Sequence, residues 1–169
     1  MFDTSVPILS HYLKGLSAIL TKAEAHCEAK KIDSNALLQA RLFPDMFAFA
    51  RQVQLVTDFA KGAGARLAGI AVPSFADEEK TFGELQARIA KTIDFLSTLT
   101  KEQFADAASR TVTIKAGGTE MSFPGAEYFA SYALPNFYFH LTASYACARA
   151  CGVDLGKRDF LGAIPLKRI

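Results

Sequence analysis

The stretch Phe123–Gly152, FPGAEYFASYALPNFYFHLTASYACARACG, constrains the fold more than any other part of the chain. From Pro135 onward it has no glycine before Gly152 and no charge before Arg149. A helix that apolar on nearly every side must be covered from more than one direction, by neighbouring elements or by a partner helix across a dimer. Pro135 has no N–H to offer the Ser131 carbonyl, so a kink or break is expected there, with helix resuming to Cys151 and stopping at Gly152. Asn136 and His140 are four residues apart and share one helical face, the spacing two metal ligands need.

Three further helices precede this one. Ser5 or Thr4 and Pro7 open the first, over Val6–Lys31, and Leu9, Leu13, Leu16, Leu20, Ala23 and Cys27 form its buried stripe. His11 and His26 fall off that stripe and are expected in solvent. A short helical piece over Ser34–Gln39 follows. Asp45 then caps a second long helix, Met46–Leu67, which stops at Gly69. Its core stripe is Phe49, Val53, Val56, Phe59, Ala60, Ala63 and Leu67, and Arg51, Gln54, Asp58 and Lys61 are expected on its solvent side. Gln52 lies three residues after Phe49 and four before Val56, so it points inward or along the core edge, where its amide needs partners. Thr81 and Glu84 form a capping box for the third long helix, Phe82 to about Leu99. A second box, Thr100 with Gln103, predicts a short helix ending near Arg110. The acidic run Asp77, Glu78 and Glu79 before the third helix reads as dipole complementation and solvation.

Then the period changes from about 3.6 to 2. Gly117-Gly118 is a two-residue hairpin turn between Thr111–Ala116 and Thr119–Phe123. Counting outward pairs Ile114 with Met121 and Val112 with Phe123 on one face, and Lys115 with Glu120 as an ion pair on the other. A lone hairpin is marginal in water, so the apolar face should lie on the helices. The tail from Val153 to Ile169 reads as an extended arm packed through Phe160, Leu161 and Ile164. No repeat or linker divides the chain, which predicts one domain over 1–169.

A net charge of +2, spread along the 169 residues, lacks the basic footprint of a nucleic-acid binder. The N-terminus does not have the pattern of a signal peptide, and no uninterrupted apolar window is long enough for a membrane span. Three cysteines, Cys27, Cys147 and Cys151, fit reduced thiols in the cytoplasm and read as small buried hydrophobes. GAGAR and KAGG lack the setting of a phosphate loop, and neither Ser131 nor Ser144 sits on a nucleophile elbow.

Two stretches, LFPDMFAFARQVQLVTDFAKGAGARLAG and YALPNFYFHLTASYACARACGVDLGKRDFLG, resemble a bacterial family of unknown function within the DinB/YfiT-like superfamily of metalloenzyme-like proteins. The resemblance implies an all-α, DinB-like four-helix bundle with the hairpin inserted between helices three and four. Members of that superfamily hold a divalent metal with one His on helix two and an HxxxH pair on the last long helix. Here His140 matches the second His of the pair, Asn136 stands at the first, and Gln52 falls near the helix-two position. Asn and Gln are weak ligands for first-row metals. Gln52, Asn136 and His140 therefore read as a ligand-binding polar set that can satisfy itself by hydrogen bonds, with Tyr132, Tyr138 or Tyr145 available to add a hydroxyl. No resident cofactor is expected on this reading, which is a small-molecule-binding or structural homodimer with a metal-vacant site. The alternative is a divalent-metal-dependent transferase, hydrolase or isomerase with His140 as metal ligand or general base.

Overall fold

The computed structural model describes residues 1–163. Helix α1 (Val6–Lys30) follows a single 3-10 turn and carries Pro7 in its first turn, and its expected stripe from Leu9 to Cys27 is buried. Asp33 caps α2 (Ser34–Leu38) by accepting the Asn35 N–H at 2.9 Å. The second long helix, α3 (Phe49–Ala68), begins three residues later than expected, and Asp45 is exposed instead of capping it. The reason lies in the preceding turn. Arg41 donates to the Met46 carbonyl at 2.5 Å, taking the acceptor a helix from Met46 would need, and the Phe49 N–H bonds to the Ala40 carbonyl at 2.8 Å. At the other end Gly69 adopts φ 72°, and the Arg110 guanidinium donates to the Leu67 carbonyl.

The Thr81–Glu84 capping box opens α4 (Phe82–Ser97) as expected. The second box forms only in part. The Thr100 N–H reaches Gln103 Oε1 at 2.9 Å, but a single 3-10 turn, Glu102–Phe104, replaces the helix expected up to Arg110. Arg110 instead folds its side chain onto Asp106 and the end of α3.

Strands β1 (Thr111–Ala116) and β2 (Thr119–Pro124) pair antiparallel in the expected register, with Gly117 and Gly118 at φ 57° and 83°. Val112 and Ile114 are buried against the helices. Lys115 and Glu120 are opposite each other and exposed, and no ion pair joins them; at such a site the entropy of two long side chains offsets the attraction.

After the hairpin the chain runs through α5 (Gly125–Glu127), a π-helical turn over Tyr128–Ala133, and α6 (Leu134–Ala150). The helix does not break at Pro135. A π turn offers each carbonyl to an N–H five residues on, which widens the helix just where proline removes a donor. The tail differs from the extended arm expected: α7 (Lys157–Leu161) packs on α1, with Phe160 against Tyr12 and Tyr145. Ile164 lies outside the described residues. Helix α3 is central, touching α1, α4 and α6, and one apolar core runs through all four long helices and the hairpin.

One face of α3 is the main departure from expectation. Gln54 and Lys61, expected in solvent, are 5% and 6% exposed. The connection over 69–81 and α4 cover them, and Arg88 of α4, itself 3% exposed, sits at the centre of the contact. Its Nε donates to the Thr57 hydroxyl at 2.7 Å, Nη1 to the Ala76 carbonyl at 2.8 Å and Glu79 at 3.0 Å, and Nη2 to Asp58 at 2.7 Å, with Asp77 at 3.0 Å. All three guanidinium nitrogens donate to oxygen acceptors, and Asp77 adds an ion pair. Burial works against the charge on Arg88, but Glu79, Asp58 and Asp77 outweigh it and hold the guanidinium above its ordinary value. Lys61 joins through Asp58, and the Phe75 ring faces Lys61, Arg88 and Lys91 at 4.9, 5.5 and 4.3 Å. Asp77 and Glu79 are therefore ion-pair partners, where dipole complementation and solvation were expected.

Candidate functional site

On the opposite side of α3, Gln52 meets His140 of α6. Both are buried, at 2% and 8% exposure. The His140 ring stacks on Phe59 at 5.4 Å with 16° between planes, and Phe139 meets it edge-on at 5.2 Å. Gln52 Oε1 lies 2.7 Å from His140 Nδ1, and the other end of the amide donates to the Phe47 carbonyl at 3.3 Å. That second bond assigns the amide its orientation, so Nδ1 carries the proton and Nε2 bears the lone pair. Nε2 has no partner among the described residues. It is also not sealed off, because every fully buried side-chain nitrogen or oxygen among them has a partner. Burial, and then the charge of Arg51, lower the pKa of His140 and favour the neutral ring.

Asn136 does not join this pair by a hydrogen bond. It is half-buried, and its Nδ2 donates to the Tyr132 carbonyl at 2.8 Å, one turn back in the widened segment before Pro135. The structure thus joins Gln52 to His140 and ties Asn136 to its own helix. Of the three tyrosines named from the sequence, Tyr132 adjoins Phe59 at 6.0 Å. Tyr138 packs on Tyr12 at 5.1 Å, where burial pushes its phenol up to about 12, and Tyr145 packs on Phe160.

A divalent metal needs several nitrogen, oxygen or sulfur donors converging on one point. His140 offers Nε2, Gln52 Oε1 is engaged by His140 Nδ1, and Asn136 adds at most one weak amide oxygen. Among the described residues no three His, Cys, Asp or Glu side chains are grouped to hold such an ion. The donor set does not fit a transition metal.

Sequence reasoning missed the inward turn of Arg88. Leu85, Arg88, Thr92 and Leu96 recur at three and four, the rhythm of a buried face, so the signal was present in the spacing.

Over residues 1–161 the chain matches the family described as a domain of unknown function, DUF1993. The chain belongs to the DUF1993 family. No curated protein matches it. Its fold is similar to a crystal structure described as a DinB family member protein from Shewanella denitrificans, at 41% identity and a TM-score of 0.90, over 99% of this chain and 95% of that one. This DUF1993 protein is thus mainly helical with one two-stranded sheet, and no helix of the described residues is long and apolar enough to cross a membrane.

Proposed function

We propose that this DUF1993 chain is a DinB-like four-helix bundle that acts as a small-molecule-binding or structural protein, with a metal-vacant site at Gln52, Asn136 and His140. The observation that carries the reading is the 2.7 Å contact of His140 Nδ1 with Gln52 Oε1, because it engages in protein bonding the amide that stands where a ligand would be needed. Metal content after purification without an affinity tag tests it. The expected result is well below one divalent ion per chain. A stoichiometric ion that disappears in His140→Ala overturns it.

Of the alternative, a divalent-metal-dependent transferase, hydrolase or isomerase, only the general-base role has support. The unpartnered Nε2 of a ring favoured as neutral can accept a proton from a bound molecule.

We also propose a cytoplasmic homodimer. Three free cysteines suit a reducing compartment. Phe43, Phe47 and Phe139 are 64%, 54% and 59% exposed, and Phe139 lines an apolar groove with Leu42 and Met46. Phe139→Ser should shift the mass measured by light scattering from dimer to monomer, and a wild-type chain that is already monomeric overturns this part.

A further inference from the structure

A second cleft, of about 180 Å³, opens where α3, β1 and the π turn meet, with Phe59 standing between it and the His140 ring. Arg66 folds back along α3 over Gly62, where an added Cβ would lie 2.5 Å from its Nη1. It donates to the Tyr128 hydroxyl at 3.3 Å, and its guanidinium carbon lies 5.9 Å from the centre of that ring. Among the described residues Arg66 pairs with no carboxylate, and neither does Lys115 at the cleft edge. Tyr128 is 1% exposed, and its own O–H proton has no acceptor among those residues. Asp58, the acid in the lining, already accepts from Lys61 at 2.6 Å and Arg88 at 2.7 Å. The cleft therefore holds an excess of donors and positive charge beside the apolar faces of Phe59 and Tyr132.

We propose that this cleft binds a small monocarboxylate, with the carboxylate on Arg66 and Tyr128 and the apolar body against Phe59 and Tyr132. The planar fork of a guanidinium matches a carboxylate. The volume is below the roughly 300–1,000 Å³ of sites for drug-sized ligands, so the ligand has few heavy atoms. Asp58 in the lining disfavours a dianion. This site is separate from the Gln52–His140 pair and does not depend on the function proposed for it.

Calorimetric titration of the full chain with benzoate and isovalerate, and with benzamide as the neutral match in shape, tests the proposal. At least one carboxylate should bind at one per chain, weaken about tenfold or more in Arg66→Gln, and weaken less in Arg66→Lys, while benzamide does not bind. Gly62→Ala supplies a variant in which loss of binding is not loss of fold. Alanine favours the helix, and its Cβ meets only the movable end of Arg66. It too should weaken binding, and it decides by the same criterion if Arg66→Gln does not fold. The proposal is overturned if neither carboxylate binds, if benzamide binds as tightly, or if folded Arg66→Gln binds unchanged. Binding lost in His140→Ala but kept in Arg66→Gln also overturns it, and would assign the ligand to the Gln52–His140 pair.

Discussion

The two buried polar groupings on α3 differ in how completely they are satisfied. Around Arg88, all three guanidinium nitrogens donate to oxygen acceptors, and three carboxylates face three cations counting Arg51 and Lys61. Around His140, one ring nitrogen is fixed by Gln52 and the other is left open. A saturated buried network holds helices in register and has nothing left to offer a ligand. An unsaturated one beside solvent is where chemistry can be added.

The contrast can be broken most forcefully at Arg88. Arg88→Met leaves Asp58 and Glu79 half-buried without their main partner and should cost about 3–5 kcal/mol in urea unfolding. A loss below about 1 kcal/mol would mean the network does not hold α4 to α3. Gln52→Leu should cost less, about 1–3 kcal/mol, by leaving the His140 Nδ1–H without its acceptor. Asn136→Ala should cost about 0.5–1.5 kcal/mol, since one half-buried bond to the Tyr132 carbonyl is lost. If Asn136→Ala proves costlier than Gln52→Leu, the hydrogen-bonded pair at His140 is not the tighter of the two arrangements.

Acid titration sharpens the same comparison with the smallest signal. The pKa of His140 lies below its usual 6.5 in the folded chain, so between those two values the unfolded chain binds the extra proton. Stability is then full above about pH 6.5 and falls as the pH drops through the folded value. Asp77, where burial opposes but Arg51 and Arg88 prevail, is held below 3.8, so its contribution is present above that pH and fades below it. His140→Gln should remove the upper step and leave the lower one, as followed by thermal melting at stepped pH. Loss of both steps together would show that the two groupings are coupled through α3.

Much of the scaffold was legible because apolar spacing reports burial directly. The stripe of α1, the Thr81–Glu84 cap and the hairpin register all follow from local rules, and the same spacing placed Gln52 inward or along the core edge. The start of α3 was not legible, because it depends on Arg41 reaching across a turn to Met46. The fate of Arg51, Gln54, Asp58 and Lys61 was also hidden. A polar stripe looks the same whether it meets water or a second polar stripe, and only the arrival of Arg88 from α4 distinguishes the two. Of the set Gln52, Asn136 and His140 named from the sequence, Gln52 and His140 meet by a hydrogen bond, while Asn136 bonds back to Tyr132 in the segment before Pro135, which is wound more widely than an α-helix.

That wide turn has a further consequence, which concerns phase. An α-helix advances about 100° per residue, so one residue accommodated in a π turn rotates everything before it relative to everything after it. Tyr128 and Tyr132 lie within the turn and His140 beyond it. Deleting one residue from 128–133 would restore a regular helix and swing the hairpin side of the molecule around the His140 side by about a quarter turn. The Tyr128 and Tyr132 side chains and the imidazole are therefore set at their mutual angle by a single surplus residue.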